Sequence, residues 1–243
     1  SDSYLWALII GWINSLKVII FGLILSTLIG SIAGIARISK NKLLNLVASS
    51  YVALIRQTPL LLQLLFWYFV VFLRLPEEPL HLINSAIVLS NKSINVLGIN
   101  LTVEFTALLF GLSIFTGASI SEVIRGGINS VKKGQIEAYR SLGLSENIGL
   151  RIIVMPQALP AILPGLTNQY LNLAKNSTLA IAVGYPDIYA ISDTTITQTG
   201  RSIEGFLIIL ISFLFLNLII NKLMNIINNA ALTLNRNNLN KNV

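Results

Sequence analysis

Residues 205–225 read GFLIILISFLFLNLIINKLMN, and the first seventeen of these positions hold no charged side chain. At 1.5 Å per residue, such a stretch is long enough to cross roughly 30 Å of bilayer hydrocarbon as one α-helix. No water is available there, so only a helix lets the segment satisfy its own backbone N–H and C=O groups. Working outward, four more segments meet the same test: 16–36, 57–73, 101–124 and 164–183. Residues 4–13 are also apolar, and at that length they read as an interfacial helix or an extension of the first span. They carry neither the basic residues nor the small-residue cleavage site of a signal peptide. The expected fold is an all-α integral membrane protein with five transmembrane helices.

Composition agrees. Of 243 residues, 54% are apolar and 11% charged, about half the charge of a soluble domain, with mean hydropathy +0.74. A single globular core cannot hide that much apolar surface. A disordered or collagen-like chain is excluded on the same ground, and the absence of cysteine excludes a disulfide scaffold. The net charge of +7 does not point to nucleic acid, because the basic residues are scattered between apolar runs. With the N-terminus outside, the cytoplasmic side holds eleven of them: Arg37, Lys40, Lys42, Arg125, Lys132, Lys133, Arg140, Arg151, Lys222, Arg236 and Lys241. The outer side then holds three, Arg74, Lys92 and Arg201. The positive-inside rule therefore places the N-terminus outside and the C-terminus in the cytoplasm.

The loops differ in kind. Segment 74–100 is long, contains Pro76, Pro79 and the lone His81, and is expected to hold a short helix around 80–89. His81 reads as a solvated loop residue, since no second His and no Cys completes a metal site. Asn91-Lys92-Ser93 has the form of a glycosylation acceptor, a pattern frequent by chance. The chain divides into residues 1–15, a membrane domain 16–225, and an Asn-rich tail 226–243, read as a frayed cytoplasmic end. There is no GxxxxGK[ST] phosphate loop and no nucleophile elbow. Any ATP driving this protein is bound by another chain.

Between the third and fourth spans lies Gly134-Gln135-Ile136-Glu137-Ala138-Tyr139-Arg140-Ser141-Leu142-Gly143. Residues 135–142 suit a short helix, with Gly143 where a left-handed C-terminal cap is wanted. Ser145 suits an N-cap with Glu146 in the first turn of a second short helix, expected to end near Pro156. The local features alone fit an ordinary capped loop equally well.

Glu137-Ala138, Gly143, Ile153 and Pro156 resemble the EAA loop, E-A-A-x3-G-x9-I-x-L-P, of ATP-binding-cassette importer permeases. Tyr139 stands where the pattern has its second Ala and Met155 where it has Leu, without change of spacing. Arg56-Gln57-Thr58-Pro59-Leu60-Leu61-Leu62-Gln63-Leu64 is similar to the R-x-T-P-L-L-x-Q-L signature of the polar amino acid branch. Glu122-Val123-Ile124-Arg125-Gly126-Gly127 and Pro156-Gln157-Ala158 match it as well. Residues 168–177, NQYLNLAKNS, and 184–187, GYPD, resemble the general L-amino acid permease subtype. The resemblance covers about residues 16–225. It implies a type I importer transmembrane domain in the bacterial inner membrane, with the first loop helix coupling it to a cytoplasmic ATPase dimer. Glu137 would face basic ATPase groups, Ala138, Tyr139 and Leu142 would fill a groove, and Gly143 would permit the turn. Further implied partners are a second, related permease chain and an external substrate-binding protein. This chain needs no cofactor of its own, since ATP and Mg belong to the ATPase.

The fourth span is too polar to face lipid. Asn168, Gln169, Asn172, Lys175 and Asn176 fall at i, i+1, i+4, i+7 and i+8, an arc of about 120° on a helix. A polar stripe with an ionisable Lys lines a water-filled path or packs against another subunit through its amides. Lys175 suits a substrate carboxylate, and Asn172, Asn176 and Thr178 supply donors and acceptors. Lys175 can alternatively pair with Glu104. Glu122 and Arg125, at i and i+3, read as an internal salt bridge. Arg56 either snorkels to headgroups or guards the inner mouth. Pro156, Pro160 and Pro164 predict an irregular, bent approach to the fourth span.

Two other readings are weaker. A secondary transporter independent of any ATPase would show inverted repeats and mid-membrane carboxylates. Glu104 and Glu122 instead lie near span ends. An intramembrane enzyme needs a nucleophile with a base, or metal ligands, and the usual sets are missing.

Overall fold

The computed structural model describes residues 2–74 and 102–240. His81, the Asn91-Lys92-Ser93 triplet and the short helix expected at 80–89 lie outside the described residues. The elements are α1 (Asp2–Ala36), α2 (Lys42–Arg56), α3 (Leu60–Leu65), α4 (Val103–Asn129) and α5 (Lys133–Ser141). They continue with α6 (Glu146–Gly149), α7 (Met155–Asn176), α8 (Ile188–Thr199) and α9 (Ser202–Asn240). A π turn over Phe66–Val71 and a 3-10 turn over Phe72–Arg74 prolong α3, and a 3-10 turn over Ser177–Val183 prolongs α7.

Among the described residues, four helical stretches are long and apolar enough to span a membrane: Ser3–Ala36, Val103–Asn129, Leu150–Val183 and Ser202–Thr233. Lys42–Arg56 and Leu60–Arg74, bent by 104°, make a fifth if taken as one broken span. Four of the five expected spans are thus recovered with altered bounds, and the second is recovered where the bent pair crosses as one. Residues 4–13 continue α1 without a break.

The second span differs most from expectation, because helix α2 precedes it. Asn41 caps α2, its side-chain oxygen accepting from Leu43 and Leu44 N–H. Pro59 starts α3 after the elbow. The buried Gln63 then reaches back, its Nε2 donating to Ile55 O at 2.8 Å, Thr58 O at 3.0 Å and Thr58 Oγ1 at 2.7 Å. One amide thus serves two carbonyls that the sharp turn leaves without helical partners, the Ile55 carbonyl also receiving the Thr58 hydroxyl at 3.3 Å.

Pro156 does not end the helix that begins at Glu146. A π turn over Leu150–Val154, in which Met155 N–H reaches Leu150 O, carries the chain straight into α7. Pro160 and Pro164 sit inside α7. Spaced by four, each lacks the donor that the preceding proline's carbonyl would receive, so the losses fall on one helix stripe. The irregularity expected there is therefore confined to the π turn. At the other end of the chain, the tail expected to fray is helical as far as Asn240.

α1 and α4 form the central pair. Their approach depends on Gly30, where a Cβ would lie 2.5 Å from Ile120 Cγ2 and 2.8 Å from Gly117 O. Small residues are what allow membrane helices to pack this closely. Ile120, Ile124 and Ile128 of α4 then meet Val154, Ala158 and Ile162 in the core nearest the α5–α6 hairpin. Leu64, Leu108 and Leu112 build the core toward the opposite end. Leu163, Leu173, Leu216 and Ile220 join α7 to α9. On α9, Leu207, Leu210, Ile211, Leu214 and Leu218 point outward uncovered, as a lipid-facing surface requires.

Candidate functional site

Three features of this scaffold carry chemistry: the α5–α6 hairpin, an arginine cluster on Glu122, and the polar face of α7.

The hairpin turn closes as a Schellman motif. Leu144 N–H bonds Tyr139 O at 3.1 Å and Gly143 N–H bonds Arg140 O at 3.0 Å. Gly143 takes φ +72°, the left-handed region where a side chain is strained. Glu146 clamps the two arms. It receives the Tyr139 hydroxyl at 2.8 Å on Oε2, Arg140 Nε at 3.0 Å on Oε1, and Lys40 Nζ on Oε1. The Lys40 ammonium, then Arg140 and Tyr139, hold the Glu146 carboxyl down at about 2. Lys40 belongs to the α1–α2 connection, so this one carboxylate ties the hairpin to the end of the first span. Gln157 Nε2, donating to Gln135 Oε1 at 3.3 Å, ties it to α7.

Tyr139 requires a correction. It is 3% exposed and packs within the chain's own core against Ile124, Ile128 and Val154. A Cβ on Gly149 would lie 2.5 Å from its ring. Tyr139 is therefore an internal support for the hairpin and is not available to fill a groove elsewhere. Glu137, Ala138 and Leu142 remain on the outward surface, Leu142 with 75% of its area exposed.

Glu122 of α4 makes the expected pair with Arg125, whose Nε and Nη2 reach Oε2 at 3.2 and 3.0 Å. The same carboxylate also meets Arg37 Nη1 at 3.0 Å and Arg56 Nη1 at 3.3 Å, both on Oε1. Three guanidinium groups from the ends of α1 and α2 and from α4 thus share one acid. Sequence reasoning found the i, i+3 pair and left Arg56 open. The long-range partners are 66 to 85 positions away, beyond any local pattern.

On α7, Asn168, Asn172 and Lys175 are exposed and Gln169 and Asn176 half-buried, as is Thr178 in the 3-10 turn that follows. The opposite face, with Ile162, Leu163, Leu173 and Ala174, is buried. The structure therefore gathers the predicted residues on one uncovered side of the helix. No ion pair among the described residues involves Lys175. Glu104, the alternative partner, accepts instead from the Tyr68 hydroxyl at 3.4 Å. Tyr170, within the stripe's sequence, turns to Thr27 of α1, their hydroxyls 2.7 Å apart. Among the described residues no cluster of His, Cys, Asp and Glu is suited to a metal ion.

Comparison with known proteins gives this geometry a family. Residues 26–232 match the family model described as binding-protein-dependent transport system inner membrane component. The chain is 32% identical to the amino-acid ABC transporter permease protein YhdX of Escherichia coli, over 93% of this chain and 78% of that one. It is also 32% identical to the general L-amino acid transport system permease protein AapQ of Rhizobium johnstonii, over 93% of this chain and 76% of that one. Among solved structures, an amino acid ABC transporter with histidines matches at TM-score 0.73 and 30% identity, covering 94% of this chain and 96% of the other. By its helices, its hairpin and these relatives, the chain belongs to the family of binding-protein-dependent transport system inner membrane components.

Proposed function

We propose that this chain is the membrane-spanning subunit of an ATP-driven importer of polar or broad-range L-amino acids. Substrate moves by alternating access, with ATP and Mg bound and consumed in a separate cytoplasmic ATPase dimer. A second permease, a related but different chain, completes the path, and an external binding protein delivers the solute. The observation that carries this reading is the hairpin. It presents Glu137, Ala138 and Leu142 outward, while Glu146 locks its two arms together, Lys40 on Glu146 ties it to the end of the first span and Gln157 on Gln135 ties it to the fourth. A part so held can transmit force with little loss to its own bending.

The uncovered polar face of α7 suits the path between two permeases, where Asn168, Gln169, Asn172, Lys175, Asn176 and Thr178 meet solute and the second subunit. Lys175 pairs with the substrate carboxylate, and the neighbouring amides favour breadth over selectivity. The excess of Lys and Arg on the hairpin side supports an outer N-terminus and a cytoplasmic C-terminus in the bacterial inner membrane. The test is uptake of labelled L-amino acids into proteoliposomes carrying the assembled transporter. Uptake is expected only with ATP, ATPase and binding protein together. Uptake by this chain alone, driven by an ion gradient, would overturn the reading.

A further inference from the structure

A cavity of about 360 Å³ opens beside the Glu122 cluster, with Arg37, Arg56, Glu122, Ser49 and Gln57 among its walls. It is separate from the α7 face, since its walls come from α1, α2 and α4. Its electrostatics are unbalanced. Three arginines face a single carboxylate, leaving the cluster with an excess of two positive charges. Arg37 and Arg56 both compete for Oε1, while Arg125 takes Oε2. Arg37 is held nearly buried, at 11% side-chain exposure, whereas Arg56 is 47% exposed. A guanidinium carries five N–H donors in a fork that fits a carboxylate bidentately. Arg56 spends one nitrogen on a 3.3 Å contact that it shares with Arg37, so most of its donors are free for another anion. Gln57 adds an amide donor beside it. Such a polar recess at the hairpin end of the spans cannot face hydrocarbon, and its volume lies within the usual range of small-ligand sites.

We propose that this recess is a second solute site, which binds the carboxylate of an amino acid at the inner mouth through Arg56 and Gln57, with Arg37 and Glu122 setting the local charge. The solute's identity rests on the importer reading above; the carboxylate chemistry rests on the cavity. During release, the solute's carboxylate takes over Arg56 from Glu122. Arg56 is the last residue of α2 before the elbow, so occupancy also loosens α2 from α4.

The chain has no cysteine, so Ala53→Cys in the cavity wall is a unique reporter on it. The experiment follows maleimide labelling of this chain in the assembled transporter in lipid nanodiscs, without binding protein and in a Lys175→Ala background that disables the α7 face. L-histidine and imidazolepropionate, which keeps the carboxylate, are expected to slow labelling several-fold. Histamine, which lacks it, is expected to leave the rate unchanged, and inorganic phosphate, an anion without the side chain, to slow it less than imidazolepropionate does. Arg56→Gln should raise the half-protecting concentration about tenfold or more, as loss of a charge-assisted hydrogen bond does. The proposal is overturned by absence of protection from imidazolepropionate, by equal protection from histamine or phosphate, or by protection that survives Arg56→Gln. ATP- and binding-protein-dependent uptake measured on the transporter with native Lys175 and Ala53 tests the importer reading separately, so either can fail alone.

Discussion

Gly143→Ala separates the mechanical role proposed for the hairpin from its structural one. Three described glycines take positive φ, Gly143 at 72°, Gly184 at 74° and Gly200 at 70°, and a Cβ at any of them meets nothing within 4 Å. No steric clash distinguishes them, so alanine costs each the same left-handed strain, about 1–2 kcal/mol. Set against a net stability of about 5–15 kcal/mol, every variant stays folded. At Gly200, in the turn between α8 and α9, the strain has no route to the hairpin. At Gly143 it bears on the joint itself and shifts the balance between docked and undocked geometry by about 5–30-fold. Thermal unfolding of the purified transporters should therefore show equal losses for Gly143→Ala and Gly200→Ala. Solute moved per ATP hydrolysed should fall several-fold for Gly143→Ala alone, and Gly143→Asn, which tolerates the left-handed region, should recover most of it. Equal coupling ratios in the two alanine variants would refute the reasoning, because the turn would then matter only for stability.

Three further outcomes follow from particular contacts. Gln63→Leu removes the three Nε2 contacts, leaving the Thr58 carbonyl without its side-chain donor and Ile55 O with only the Thr58 hydroxyl at 3.3 Å, so unfolding in denaturing detergent should show a loss of about 1–3 kcal/mol. Asp187 lies outside the spans, buried, with Oδ1 capping α8 at Ala190 N–H and its carboxyl pushed up by burial from 3.8 to about 7. Its folded form holds a proton that the unfolded chain releases, so stability should fall as pH rises from about 4 to 7, by at most about 1.4 kcal/mol per unit. Asp187→Asn, which keeps the cap acceptor, should flatten the thermal-unfolding profile over that window. Lys175→Ala should lower uptake and substrate-stimulated ATP hydrolysis at unchanged assembly, as judged by size-exclusion chromatography and a malachite-green assay.

The spans were legible because hydrocarbon imposes length and apolarity on each one separately. The turn at Gly143 was legible for a similar reason, since a cap depends on neighbours in sequence. What escaped depends on distance or on compensation. Helix α2, amphipathic and too polar at Asn45, Ser49 and Ser50 for a span test, was announced only by Asn41 at its start. The arginine cluster on Glu122 and the Lys40–Glu146 pair join residues far apart in the chain. Tyr139 was misjudged because an aromatic within an exposed loop helix has no sequence mark that says which way it points. The prolines at 156, 160 and 164 were expected to break a helix that the π turn lets continue.

Leu142, the most outward apolar side chain of the hairpin, offers the most direct test of force transfer from an ATPase. Leu142→Cys and Ile203→Cys, 75% and 76% exposed at opposite ends of the spans, can be placed singly in this cysteine-free chain. A short bifunctional crosslinker applied to membranes containing the full transporter should join Leu142→Cys to the ATPase subunit, at a rate that changes with ATP, and leave Ile203→Cys unjoined to it. An unreactive Leu142→Cys beside a transporter that still imports solute would contradict the account.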